Sequence, residues 1–392
     1  MIKLMLSEIY IKHTVLVLMK KLNLFYFLSI FILLLSCSSE SGQEPEIIGE
    51  LIYLDDNGIT IKANIRAKNG DTKEINGVNY TVVDLDSLKK LIDLDADLSK
   101  FVVSNITDMS LLFQYRAGFN QDLSNWDVSN VTSMDNMFRS TSFNSDISMW
   151  DVGKVTNMAA MFRDTPFNQN ISNWDVSNVT FMGELFRDTP FNQDITDWNV
   201  VNVINMGGMF RSTPFNQDIS NWDVSNVTKM PEMFRDTPFD QDISGWKVDK
   251  VDNMGGMFRD TQFNQPIGGW NVSNVNTMAA MFKNSKFNQD ISNWDVAKVT
   301  DMSTLFQDCV PFNQDLSSWN VSQVVIMDGM IDRTSISSSN YDALLNSWSS
   351  LTLKPNLNFG ARTVTYCNEE ASRQKIIDNF NWTINDGGLD CD

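Results

Sequence analysis

The chain has 392 residues, 49 of them acidic and 30 basic, for a net charge of -19, with one histidine and four cysteines. That balance, without any basic block, excludes nucleic acid as a partner, because such binding is driven by lysine and arginine neutralising phosphates. A hydrophobic share of 42% excludes a disordered acidic polymer and is enough for a packed core.

Residues 1–36 read as a targeting signal rather than structure. Lys20-Lys21 precedes the apolar run Leu22 to Leu35, whose 14 residues are too few to span a bilayer but suit a secretion signal. Leu34-Leu35-Ser36-Cys37 then resembles the bacterial lipobox, which implies that Cys37 carries the lipid and becomes the mature N-terminus. Met19-Lys20-Lys21 is the more typical start of such a signal, so the expected initiator is Met19. Residues 37–47, with Ser38, Ser39, Glu40, Ser41 and Gly42, form a polar tether, and their acidic members resemble surface-export signals. Residues 1–36 contain Lys3, Lys12, Lys20, Lys21 and Glu8, a net +3, so the remaining 356 residues carry -22 and lack His13, the sole histidine. Triads built on histidine and histidine-based zinc sites are thereby excluded.

Residues 48–98 read as a small β cap. The runs LIYL, TIKANI and NYTVVDL alternate, and Asp56-Asn57-Gly58, Asn69-Gly70-Asp71 and Asn76-Gly77 punctuate them as turns. A helix is expected from Asp86 to Leu94. Asp93, Asp95 and Asp97 have the opening spacing of a calcium loop, but Leu98 and Ser104 replace the glycine and glutamate it needs. No metal site and no cofactor are therefore expected.

Residues 99–335 are an internal repeat. Trp126, Trp150, Trp174, Trp198, Trp222, Trp246, Trp270 and Trp294 follow a period of 24, and Trp319 follows after a one-residue insertion. In the unit starting at Phe167, Ile171, Trp174, Val176 and Val179 have the spacing of a leucine-rich-repeat strand. Val179, Met182, Leu185 and Phe186 recur at helical intervals and predict one or two helical turns. A unit this small cannot bury its apolar face alone, so the expected fold is an α/β solenoid, leucine-rich-repeat-like, of about ten strand and helical-arc coils. Phenylalanines from Phe143 to Phe287 and methionines from Met134 to Met302 form core columns, and the tryptophans are expected to point inward. Asn120, Asn144, Asn168, Asn192, Asn216, Asp240, Asn264, Asn288 and Asn313 predict a ladder that satisfies turn backbone groups.

Two charged columns follow the same period. Asp122, Asp146, Asp194, Asp218, Asp242 and Asp290 form an acidic column that divalent cations could occupy, but Asn170 and Pro266 interrupt it, and it reads first as solvated or turn-capping residues. Arg139, Arg163, Arg187, Arg211, Arg235 and Arg259, continued by Lys283, form a basic stripe. The stripe reads first as a self-paired ladder, because Asp164, Asp188, Asp236 and Asp260 follow directly in sequence. The sharper alternative is a ligand-binding stripe for anionic polysaccharide or an acidic protein face.

Residues 336–392 read as an α+β C-terminal cap. Tyr341 to Trp348 is apolar-periodic, and Thr363 to Tyr366 is expected as a strand, Glu369 to Phe380 as a helix and Trp382 to Ile384 as a strand. Cys367 and Cys391 bracket the cap, and a disulfide between them would stabilise it by about 3 kcal/mol. Cys309 reads as a buried free thiol, with pairing to a cap cysteine as the rival.

The phrases NWDVSNVT and MFRDTPFNQDIS resemble the repeats of BspA-like leucine-rich surface proteins. That resemblance implies a secreted or cell-surface protein, adhesin-like, contacting an extracellular protein or polysaccharide. It brings no catalytic residues. The chain is read as a monomer, not an enzyme, held at an outer membrane or cell surface through its N-terminal lipid only. The alternatives are a structural spacer without a dedicated ligand and a glycosidase using paired acids. The departures from the repeat, among them Pro231, Lys247, Gly256 and Pro266, assemble no such pair.

Overall fold

A computed structural model describes residues 50–391. The expected leader, the expected tether and Cys37, the position expected to carry the lipid, lie outside the described residues.

The N-terminal part opens with two hairpins. β1 (Ile52–Leu54) pairs antiparallel with β2 (Ile61–Ala63), and β3 (Thr72–Ile75) pairs antiparallel with β4 (Val78–Val82). Asn76 and Gly77 both have positive φ, 52° and 80°, which is the two-residue turn that matches the twist of adjoining strands. The polar TKEI segment of β3 carries no apolar alternation, and this is why the sequence reading passed over it. α1 (Leu85–Asp93) is capped by Asp84, which accepts the Ser87 N–H, and it buries Leu88 and Ile92. β5 (Phe101–Val102) adds parallel to β4. Ile52, Ile61, Ala67, Val82 and Val102 make a small cluster apart from the main core, and the Ile61 N–H donates to the Asn125 carbonyl in the first coils.

The repeats form a stack of ten coils joined by parallel bridges at Asp108, Ser133, Asn157, Phe181, Asn205, Lys229, Asn253, Thr277, Asp301 and Ile326. The expected strand at Ile171 to Val176 and the expected helical arc at Val179 to Phe186 are both absent; the coils contain turns instead. The reason lies in the backbone bonding. Met134, Asn136, Phe138 and Ser140 donate their N–H groups to Asn157, Ala159, Met161 and Arg163 of the next coil. Met137, Arg139 and Thr141 donate to the carbonyls of Met134, Asn136 and Phe138, three residues back in the same coil. Alternate groups thus serve the neighbour and the local turn, so these seven are paired without helix or strand. This zigzag places two residues per coil at positive φ, such as Glu184 at 57° and Asp188 at 57°. Its i, i+3 turns impose the same apolar spacing as a helix, which is what misled the periodicity.

The side chains follow the columns. All nine repeat tryptophans are at most 4% exposed. Each indole Nε1 donates to a carbonyl of the preceding coil, as Trp222 does to Ile195 at 3.2 Å. Phe162 stacks on Phe167 within one coil at 3.8 Å between ring centroids, and Phe143 meets Phe167 across coils at 6.3 Å. Aromatic burial on this scale contributes about 1.5–3 kcal/mol per ring before entropy is counted. The amide column also forms. The Asn168 N–H donates to Asn144 Oδ1 and the Asn192 N–H to Asn168 Oδ1, both at 3.0 Å.

The C-terminal part comprises α2 (Ser338–Trp348), β6 (Asn358–Ala361), α3 (Glu370–Phe380) and β7 (Thr383–Asp386), with β6 and β7 parallel. β6 continues the stack, because the N–H groups of Ile331 and Arg333 donate to the carbonyls of Gly360 and Arg362. Gly360 is required there: a Cβ would fall 2.2 Å from the Gly329 nitrogen. The strand expected at Thr363 to Tyr366 is instead a turn with Thr363 at φ 76°. Val364 and Tyr366 are buried all the same, so the apolar alternation was real but belonged to a turn after the strand. Cys367 and Cys391 are joined as a disulfide, and Cys309 is a free, buried thiol.

Candidate functional site

The arginine column lies along one side of the stack, held by the rungs. Arg163 is typical: its N–H donates to the Ala160 carbonyl, and its own carbonyl accepts the Ser140 N–H from the preceding coil. All six arginines and Lys283 are half-buried. Fixed backbones and packed stems leave the guanidinium groups aligned along the stack.

Their main partners are two glutamates that the sequence reading did not single out. Glu184 accepts from Arg163 of the preceding coil and Arg187 of its own, and Glu232 does the same for Arg211 and Arg235. The directly following aspartates contribute as well: Asp188 accepts from Arg187 Nε at 3.1 Å and Asp260 from Arg259 Nε at 3.1 Å. Asp164 lies 3.4 Å from Arg163 Nε. Burial works against the charge of Glu184, but the hydrogen bond from Arg187 and the charge of Arg163 outweigh it and hold the carboxyl below its ordinary value. Burial likewise opposes the charge of Arg187, and Glu184 and Asp188 overcome it. Arg139 differs, donating to Asn136 Oδ1 at 3.3 Å with its guanidinium 5.5 Å from the Tyr115 ring. The available signal was compositional, since Glu184 and Glu232 are the two glutamates between residues 99 and 335, spaced two periods apart.

The aspartate column is built differently. Asp122, Asp146, Asp194, Asp218, Asp242 and Asp290 are exposed. Each carboxylate accepts the N–H two residues on, as Asp218 does from Ser220 at 2.9 Å. The backbone and side-chain bonds from Ser220 hold the Asp218 carboxyl low, while Asp242 and Asp194 push it up. These are turn caps. At the N-terminal end Asp93 pairs with Arg116, and Asp97 accepts from Ser99 and Lys100.

Cys309 occupies the column of Thr165, Thr189 and Thr213, where a side chain closes the turn onto the backbone. Its Sγ donates to the Phe287 carbonyl at 3.2 Å. Burial pushes the thiol up to about 11 despite the bonds to Ser285 and Phe287, which removes its nucleophilicity at neutral pH.

No helix among the described residues is long and apolar enough to cross a membrane. No curated protein and no solved structure matches the chain. A family profile described as "Mycoplasma protein of unknown function, DUF285" matches residues 83–190, 165–262 and 237–348. These windows span the coil stack and more than half of the chain, which therefore belongs to that family.

Proposed function

We propose that the protein is a lipid-anchored cell-surface binding scaffold, adhesin-like, in which a leucine-rich-repeat-like solenoid presents charged columns to an extracellular protein or polysaccharide. The observation that carries this reading is the division of labour within each coil. Tryptophan, phenylalanine and valine positions hardly change along the stack, whereas exposed positions such as Asp223, Lys247 and Asn271 differ from coil to coil. A constant core beneath a variable surface is what a recognition scaffold requires. The ordered signal, apolar run and Leu34-Leu35-Ser36-Cys37 support anchoring through Cys37. The Cys367–Cys391 disulfide supports an extracytoplasmic address, and the resemblance to BspA-like surface proteins supports adhesion. The ligand face in this reading is the column Arg139, Arg163, Arg187, Arg211, Arg235, Arg259 and Lys283.

Residues 50–391 form one compact unit, so the purified chain without its expected leader is suitable for testing on an array of matrix proteins and polysaccharides. Saturable binding is the expected result. Absence of binding to every member would overturn the scaffold reading in favour of a structural spacer.

A further inference from the structure

The column that supplies Glu184 and Glu232 runs Ala160, Glu184, Gly208, Glu232, Gly256, Ala280 and Thr304 from coil to coil. A glutamate there drops its carboxylate between the cation of the preceding coil and that of its own. Two such gaps are filled from within: Arg163 to Arg187 by Glu184, and Arg211 to Arg235 by Glu232. The gap from Arg259 to Lys283 has the same residue spacing but Ala280 in the glutamate position.

Comparison of Arg259 with Arg187 shows what is missing. Both donate Nε to the aspartate that follows, at the same 3.1 Å. Arg187 also donates Nη1 to Glu184. Among the described residues no carboxylate receives the terminal nitrogens of Arg259, and no ion pair is formed by Lys283. The Arg259 side chain is 31% exposed against 18% for Arg187, and Ala280 is half-exposed whereas Ala160, beside Glu184, is buried.

We infer that the gap between Arg259 and Lys283, over Ala280, is a binding site for one carboxylate of an acidic protein segment. The inference rests on the scaffold reading and gives it a ligand chemistry. The chain's own Glu184 and Glu232 show that a glutamate side chain fits such a gap and bridges two cations there, through charge-assisted hydrogen bonds. An anionic polysaccharide fits less well. Glu184 and Glu232 already neutralise the cations on the preceding coils, so a long polyanion finds no continuous cationic track.

The test transplants the internal occupant. A glutamate at 232 lies against Gly256, where a Cβ would come 3.2 Å from its Cγ, so A280E is combined with T304G to copy the Glu232–Gly256 pair. The probe is a labelled tetraglutamate peptide titrated onto the purified chain, with polygalacturonate as a second arm. Saturable tetraglutamate binding is expected, weakened about tenfold or more in A280E/T304G and in R259Q. R259Q supplies the result if the double variant does not fold, as judged by tryptophan emission. Tetraglutamate binding that is absent, or unchanged in both variants, overturns the site, as does polygalacturonate binding that is tighter and lost in the same variants. A matrix ligand that binds equally to wild type and A280E/T304G overturns the site while leaving the scaffold reading in place.

Discussion

The coil stack and the C-terminal cap solve the same problem in opposite ways. In the stack one solution is used from coil to coil: all nine repeat indoles find a carbonyl one coil back, and the bridges between coils recur at the same position. The cap uses arrangements found once. Asp386, with a side chain only 3% exposed, accepts two bonds from Arg373, at 2.7 and 3.0 Å, and one from the Tyr341 hydroxyl at 3.0 Å. Burial, then Asp386, raises the Tyr341 phenol well above its ordinary value. Asp342 accepts the N–H groups of Cys367 and Asn368. Trp348 Nε1, unlike the repeat indoles, is buried without an acceptor. Repetition allows each contact to be as good as the last, whereas a closing element must meet the last coil on one face and solvent on the other.

Mutations can separate these two strategies. The largest effect expected is from W222A, in mid-stack, which leaves a cavity and should lower unfolding free energy by about 3–5 kcal/mol, read by denaturant titration. D386A should cost about 3 kcal/mol by leaving the Arg373 charge without its carboxylate and the Tyr341 hydroxyl without its acceptor. Because the loss is confined to the cap, limited proteolysis should cut the cap before the stack; simultaneous cutting would show that the two parts unfold as one. A matched pair sharpens the contrast further. W222F removes a bonded indole and should cost about 1 kcal/mol, whereas W348F removes an unpaired donor and should be neutral or stabilising by thermal midpoint. The smallest effect is expected from E184Q, under about 1 kcal/mol and weaker at high salt. The Glu184 carboxyl is held low in the fold, so its contribution is present above the unfolded value and is lost as pH falls through the folded one. E184Q should therefore remove part of the acid-side loss of stability seen in wild type.

The periodic residues were legible because burial constrains them everywhere: Trp174, Phe167 and Met182 each hold a column that the period of 24 displays. The asparagine ladder was legible for the same reason. The rung was not. Its left-handed positions hold Ala160 and Glu184 in some coils and Gly208 and Gly256 in others, so no one residue type marks the turn along the column, and its i, i+3 turns mimic helical spacing. In the cap, α2 and α3 were visible in their apolar periodicity, but the strand lies at Asn358–Ala361, where Gly360 meets Gly329, rather than at Thr363–Tyr366, and that close approach is seen only in the folded chain. For the charged face, the arginines were plain, and the aspartates beside them drew attention from Glu184 and Glu232. A carboxylate that pairs across coils stands 21 residues from its partner Arg163, a separation with no local signature.

The uniform rung has a consequence for inheritance. Each coil offers the next the same donors, acceptors and rings, so removing or inserting one 24-residue unit would join faces that already fit. Even the extra residue near Val310 and Pro311 leaves the bridge from Asp301 to Ile326 in place. Gain or loss of whole units would therefore give longer or shorter descendants that still fold, each carrying a different number and order of charged gaps.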